Sequence, residues 1–439
     1  MSSKIVAIVG RPNVGKSTFF NRMAGQRISI VNNTPGVTRD RIYADTEWCG
    51  HGFTLIDTGG ITPRGDDIML KHIRKQAELA VDTADVIIFM VDGKAGVSPD
   101  DYEIANYLRK SAKPIVLVVN KIDGSDNSLI YDFYSLDLGE PLPVSSEHGL
   151  GTGDALDAVV AHLGARSELE KKADVTSIAV LGKPNAGKSS LVNKLLGYER
   201  VIVSDIAGTT RDAVDTQFSY DGKKYILIDT AGIRKKSKVD DDVEYYGVVR
   251  ALTALKRADV AIIVMDATEN VSEQDVKICG LVHNEGKPSV IAMNKWDLID
   301  KTQDTTKKFN TRLATQLKFM DYLKASYISA LTGKRAIGIL EYADAALENA
   351  SRRIATGVLN DIIGDAVSVN EPPNKNGVKL KIFYVVQPSA NPPTFLFFVN
   401  DPEIMHFSYK RYLENAIRKA VDFSGTPIRL IFRKNADEN

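Results

Sequence analysis

Cysteine is almost missing from this chain: Cys49 and Cys279 are the only two in 439 residues. Two thiols in no metal or redox spacing build neither a disulfide framework nor a zinc site, and they fit a reducing compartment. The six histidines are scattered and suggest no ligand cluster. No run of roughly 20 apolar residues exists to span a bilayer, so no membrane partner is expected. Met1-Ser2-Ser3-Lys4 leads straight into a strand-like segment rather than a signal peptide, which makes the cytoplasm the default. An excess of one charge is missing too. Lys+Arg and Asp+Glu stand at 56 each, which removes global attraction to nucleic acid and leaves room only for a local basic face. The rest is the composition of an ordinary globular protein, and its length suggests about three domains.

What is present is a duplication. Gly10-Arg11-Pro12-Asn13-Val14-Gly15-Lys16-Ser17 returns as Gly182-Lys183-Pro184-Asn185-Ala186-Gly187-Lys188-Ser189. At the same offset Arg39-Asp40 becomes Arg211-Asp212, and Asp57-Thr58 becomes Asp229-Thr230. Lys4–Val9, Phe53–Asp57, Val86–Asp92 and Ile115–Asn120 read as strands, with helices over 17–23, 68–80 and 100–110. The second copy repeats this with strands over 177–181, 225–229, 260–266 and 289–294. Strands alternating with helices imply a parallel sheet covered on both faces. The expected divisions are a first nucleotide-binding domain over 1–165, a charged linker over 166–175, a second domain over 176–349 and a tail over 350–439. In the tail, helices over 351–367 and 408–421 and strands over 378–387, 394–400 and 428–433 give the order α-β-β-α-β.

The glycine loop between strand and helix turns backbone N–H groups toward a polyphosphate, and the helix dipole favours negative charge there. Lys16 and Lys188 would reach the β- and γ-phosphates, and Ser17 and Ser189 would each place a hydroxyl on Mg²⁺. Asp57 and Asp229 suit a water on that Mg²⁺. Gly60 and Gly232 allow a backbone N–H to approach the γ-phosphate. Thr38 and Thr210 would ligate Mg²⁺ and sense the γ-phosphate, or are plain polar loop residues. Asn120-Lys121-Ile122-Asp123 and Asn294-Lys295-Trp296-Asp297 select the base. A carboxylate accepts two hydrogen bonds from guanine, and adenine offers no such pair. Asn120 and Asn294 would brace the loop and the N7 edge, while Lys121 and Lys295 would cover the ring. Ser145-Ser146 and Ser329-Ala330 are placed to meet the guanine O6 through backbone. Ile61 and Ile233 stand where small GTPases commonly carry a water-orienting glutamine, so charge stabilisation has to come from elsewhere. Asn13 and Asn185 would either hold a monovalent cation beside the phosphates or satisfy their own backbone.

These motifs, with Pro35-Gly36-Val37-Thr38-Arg39-Asp40, Ala207-Gly208-Thr209-Thr210-Arg211-Asp212 and Ile233-Arg234-Lys235-Lys236-Ser237-Lys238, make nearly the whole chain resemble the bacterial double-GTPase ribosome-assembly factors, the Der (EngA) family. The resemblance implies two tandem P-loop GTPase domains, each a mostly parallel sheet with helices on both faces, plus a small α+β KH-like C-terminal domain packed against them. It implies GTP and GDP with Mg²⁺ as ligands, K⁺ at Asn13 and Asn185, and hydrolysis coupled to maturation of the large (50S) ribosomal subunit. Ser146 departs from the alanine usual there.

The tail lacks the Gly-x-x-Gly of RNA-clamping KH domains, although its basic residues outnumber its acidic ones 12 to 9. Lys410, Arg411, Arg418 and Lys419 on one helix are either a phosphate-contacting face for rRNA or a solvated face. Arg234-Lys235-Lys236 with Lys238 would couple nucleotide state to RNA or to the tail. A monomer is expected. Two other readings are a metabolic phosphotransferase that tolerates ATP and an RNA-binding protein with decayed sites. The intact Lys16, Lys188, Asp57 and Asp229 argue against decay.

Overall fold

Strand β1 (Lys4–Val9) shows why the buried strands read as unbroken apolar runs. Ile5, Ala7 and Val9 enter one core while Val6 and Ile8 enter the other, so both faces are covered. The same division holds in Val86–Asp92, where Ile87, Phe89 and Val91 alternate with Val86, Ile88 and Met90. The protein is described from a computed structural model, which places residues 4–25, 43–57, 77–78, 80–111, 113–123, 128–163, 175–199, 201–203, 215–229, 243–375 and 377–434.

The first module has β1, β2 (Tyr43–Trp48), β3 (His51–Asp57), β4 (Val86–Asp92), β5 (Ile115–Asn120) and β6 (Leu142–Val144). Their order in the sheet is β2-β3-β1-β4-β5-β6. All neighbours are parallel except the β2–β3 hairpin. Helices α1 (Lys16–Gly25), α2 (Pro99–Arg109) and α3 (Thr152–Leu163) connect them. The antiparallel edge accords with the expected mostly parallel sheet. It turns at Cys49 and Gly50, both at positive φ (48° and 79°), as a two-residue hairpin requires.

The second module repeats the plan with β7 (Val175–Leu181), β8 (Ile202–Val203), β9 (Thr216–Tyr220), β10 (Lys223–Ile228), β11 (Val260–Asp266), β12 (Ser289–Asn294) and β13 (Ala325–Tyr327). The sheet order is β13-β12-β11-β7-β10-β9-β8. Its antiparallel turn is Asp221-Gly222, again at positive φ (50° and 76°). Its helices include α4 (Lys188–Leu196), α5 (Glu273–Asn284), α6 (Thr305–Gln316) and α7 (Ile339–Ala350), and a further helix, Val243–Arg257, lies between β10 and β11 in the chain.

The tail is α8 (Thr356–Val369), β14 (Ile382–Ala390), β15 (Pro393–Val399), α9 (Phe407–Ala420) and β16 (Arg429–Lys434). β14 pairs antiparallel with β15, and β15 pairs parallel with β16. Val385, Phe395, Phe397, Val399 and Leu430 form a core with Leu359, Ile363, Leu413 and Ile417 of the two helices. The order α-β-β-α-β stands, with two shifted boundaries. α8 begins at Thr356 rather than at 351, because Gln387 fixes the approach as an extended segment: its Oε1 accepts from Ile354 N–H and its Nε2 donates to Arg352 O. β14 begins at Ile382 rather than at 378, because Val378 instead pairs with Lys375 across the left-handed Gly377.

By compactness the chain forms two units, and the second module shares one of them with the tail. Their contact is polar and specific. Ser289 N–H donates to Gly425 O (2.7 Å), Gly425 N–H to Tyr322 O (2.8 Å), and the buried Thr426 hydroxyl to Ala346 O (2.7 Å). Arg429 Nη2 donates to Asn284 O at 3.0 Å. Among the described residues, no helix is long and apolar enough to cross a membrane.

Part of the basic cluster on α9 takes part in this contact, a neighbourhood that neither the phosphate-contacting nor the solvated reading included. Arg418 lies over the Tyr322 ring, 4.7 Å from its centre, and donates to Phe423 O and Thr426 O. Arg411 bonds Lys318 O and Asp321. Burial pushes the Lys410 ammonium below its ordinary value. Of the four, Arg418 and Lys410 are partly buried, while Arg411 and Lys419 remain exposed. The sequence showed the charges but not the neighbours that take them up.

Candidate nucleotide sites

Each phosphate loop leaves the central strand of its sheet (β1 or β7) and opens a helix (α1 or α4). Asn13 and Gly15, and likewise Asn185 and Gly187, adopt positive φ, which curls the backbone into a cradle. Gly15 and Gly187 have a second constraint. A Cβ there would stand 2.2 Å from Asn120 Nδ2 and 2.1 Å from Asn294 Nδ2. Glycine is needed because the asparagine comes in so close.

That asparagine ties three segments together. Asn120 Nδ2 donates to Val14 O (2.7 Å), and its Oδ1 accepts from Ser146 N–H (2.9 Å). Asn294 repeats this with Ala186 O (2.9 Å) and Ala330 N–H (2.8 Å). In the first site the Ser146 hydroxyl adds another bond to Asn120 Oδ1 at 2.8 Å. The serine at this position therefore keeps the backbone contact that alanine makes in the second site.

Lys16 is buried, and its Nζ donates to Gly10 O (2.7 Å) and Arg11 O (2.8 Å). Lys188 makes the same pair with Gly182 O and Lys183 O. Burial pushes both ammonium groups down to about 8. Ser17 and the buried Asp57 converge, with Oγ donating to Oδ2 at 2.6 Å. This pair of hard oxygen donors at the helix mouth fits Mg²⁺. Asp229 follows β10 at φ 56°, and its N–H donates to Asp215 Oδ1 at 3.0 Å. Ser189 lies at the start of α4. Thr38, Gly60, Ile61, Thr210, Gly232, Ile233 and the basic run 234–238 lie outside the described residues.

Two pairs of residues that the motif reading did not single out organise the sites. Asp92 and Asp266 end β4 and β11, next to the strands that carry the two asparagines. Asp92 Oδ2 accepts from Lys121 Nζ at 2.6 Å, and Asp266 accepts from Lys295. Burial opposes the Asp92 charge, yet the bonds from Lys121 and the Ala95 and Lys94 amides outweigh it and hold the carboxyl below its ordinary range. Asp266 is held low in the same way. These aspartates fix Lys121 and Lys295, both at left-handed φ. The second pair is Asp101 and Asp275, each closing a capping box with Ser98 or Ser272 at the start of α2 or α5. Asp101 pairs with Arg11 (3.4 Å) and Asp275 with Lys183 (3.5 Å), so each phosphate loop is tied to the next helix. The available signal was repetition, since both pairs recur 174 positions apart in the duplicated sequence.

The lowered lysines carry a pH consequence. A bound polyphosphate would raise the ammonium pKa above its value of about 8 in the protein alone. A group whose pKa rises on binding takes up a proton above the lower value. Affinity is therefore fully present below pH 8 and falls as pH rises toward the higher value, by up to about tenfold per unit. Titration calorimetry in buffers of different ionisation enthalpy should detect proton uptake at pH 9 and almost none at pH 6.5. Equal signals at both pH values would contradict this origin.

Comparison with known proteins agrees with the two sites and the tail. A family model described as 50S ribosome-binding GTPase matches residues 5–121 and again 177–295. Another, the KH-domain-like C-terminal part of EngA bacterial GTPase enzymes, matches residues 353–433. The chain is 53% identical over 439 residues to the GTPase Der of Agathobacter rectalis, covering 100% of both. It is 52% identical over 440 residues to that of Lachnospira eligens and 53% over 441 to that of Ruminiclostridium cellulolyticum, again covering 100% of each chain. The chain belongs to the GTPase Der (EngA) family, with two P-loop GTPase domains that hydrolyse GTP and a KH-like C-terminal domain.

Proposed function

We propose that this GTPase acts in the cytoplasm, as a monomer, in assembly of the large (50S) ribosomal subunit. Nucleotide state at two sites would set how its domains engage rRNA. The observation that carries this reading is the repeated asparagine clamp in two intact sites, joined to a tail built like the family's KH-like domain. The working divisions are the first GTPase domain at 1–165, the linker at 166–175, the second at 176–349 and the KH-like domain at 350–439. GTP and GDP with Mg²⁺ are the ligands of such sites.

Within each site the roles follow from chemistry. Lys16 and Lys188 balance charge on the β- and γ-phosphates, and Ser17 with Asp57, like Ser189 with Asp229, holds Mg²⁺ and its water. Thr38 and Thr210 complete that shell, and the Gly60 and Gly232 amides meet the γ-phosphate. Asp123 and Asp297 read guanine. Ile61 and Ile233 cannot orient a water, so K⁺ on Asn13 and Asn185 takes part of the charge stabilisation. Both asparagines are exposed at the loop crest with φ of 65° and 62°. Hydrolysis should then run faster in K⁺ than in Na⁺ at equal ionic strength, and equal rates would discard the asparagine role.

The ribosomal reading is tested by co-sedimentation with 50S subunits in GDP and in a non-hydrolysable GTP analogue. Association that depends on the nucleotide is expected. No association in either state would overturn it.

A further inference from the structure

The two modules serve as each other's reference, and they differ at the carboxylate assigned to guanine. In the first, Asp123 Oδ2 accepts from the Lys94 ammonium at 2.5 Å and Oδ1 accepts from the Ser145 hydroxyl at 2.8 Å. Lys94 lies on the loop leaving β4, and its amide is fixed on Asp92 Oδ1 at 3.0 Å. The counterpart in the second module is Thr268, on the loop leaving β11. Its amide sits on Asp266 Oδ1 at 2.9 Å in the same way, but its hydroxyl turns back to that oxygen at 2.6 Å. Among the described residues, no hydrogen bond or ion pair reaches the Asp297 side chain. The Ser329 hydroxyl accepts from Thr332 N–H as Ser145 does from His148 N–H, but no bond from it to Asp297 is found among the described residues. The loop backbone is the same in both modules while the side chain differs.

We propose that Lys94 competes with guanine for Asp123, so that it lowers the guanine-nucleotide affinity of the first site, and that the second site lacks this brake because Thr268 stands in its place. The proposal deepens the reading of Asp123 and Asp297 as base selectors and rests on it. A carboxylate binds N–H donors strongly because it is charged. An ammonium on one of its oxygens neutralises much of that charge, and guanine must displace or share it. The Ser145 hydroxyl is neutral and does not do this. The Asp123 carboxyl is held below its ordinary value, with the Lys94 hydrogen bond as the largest cause. The ion pair is exposed, so its effect is modest and sensitive to salt: about two- to fivefold in Kd. The sign is informative. A lysine that simply attracted the nucleotide's phosphates would strengthen binding, whereas one that occupies the base-reading carboxylate weakens it.

The test uses the full chain and fluorescent GDP. The second site is silenced by Lys188→Ala to read the first, and the first by Lys16→Ala to read the second. Lys94→Thr should tighten GDP binding at the first site by about two- to fivefold, and Lys94→Arg should leave it nearly unchanged because the cation remains. Thr268→Lys should weaken the second site by a similar factor. The gain from Lys94→Thr should shrink at high NaCl. On an Asp123→Asn background, read with xanthosine diphosphate, it should vanish. Unchanged or weaker GDP binding in Lys94→Thr overturns the proposal, as does an equal gain on the Asp123→Asn background. If Asp123→Asn fails to exchange guanine for xanthine, the base-selector assignment falls first and the proposal with it.

Discussion

The amide of one asparagine, used twice, is the contact on which both sites depend. Asn120 and Asn294 each stand at the end of a fully enclosed strand and join the phosphate loop to the loop that follows the last strand of the sheet. Each side chain donates to one segment and accepts from another. Such a bridge in a buried setting is costly to leave unmade. It also explains the glycine beside it: only a residue without Cβ lets the amide approach so closely. The phosphate loop and the Asn-Lys-x-Asp segment are thereby tied together, an arrangement that suits a site that must bind charge with little reorganisation.

The duplicated modules show which features the chemistry fixes and which it leaves free. The lysine contacts in the cradle, the strand-end aspartates behind Lys121 and Lys295, and the link from phosphate loop to capping box recur in both. The contact of Lys94 with Asp123 does not recur, since Thr268 stands at the matching place. One chain thus carries two phosphate loops with the same lysine and asparagine contacts, while Asp123 and Asp297 have different surroundings. The tail, meanwhile, is joined to the second module by backbone bonds at Gly425 and by Arg418 over Tyr322, so Arg418 has a structural task within the α9 cluster.

Much of this was legible in the sequence because parallel strands buried on both faces are apolar runs, and each ends in a motif. β1, β4, β5 and their second copies could be placed that way. The hairpin strands β2 and β9 were not, because Asp45 and Glu47, or Gln217 and Ser219, break the run wherever one face is less covered. The Asp221-Gly222 turn was the missed signal. Asp92 and Asp266 were visible as strand-end acids, but their pairing with Lys121 and Lys295 depends on β4 lying beside β5 and β11 beside β12. Sheet adjacency of that kind is a product of folding. The contact between Lys94 and Asp123 was hidden for the same reason, since the two meet only when two loops converge.

The central claim is that each module is a complete guanine-nucleotide site. Equilibrium dialysis of the full chain with GDP and Mg²⁺ tests it directly. Saturation at two guanine nucleotides per chain, undiminished by excess ATP, is the expected result. Saturation at one or none, or displacement by ATP, would contradict the account.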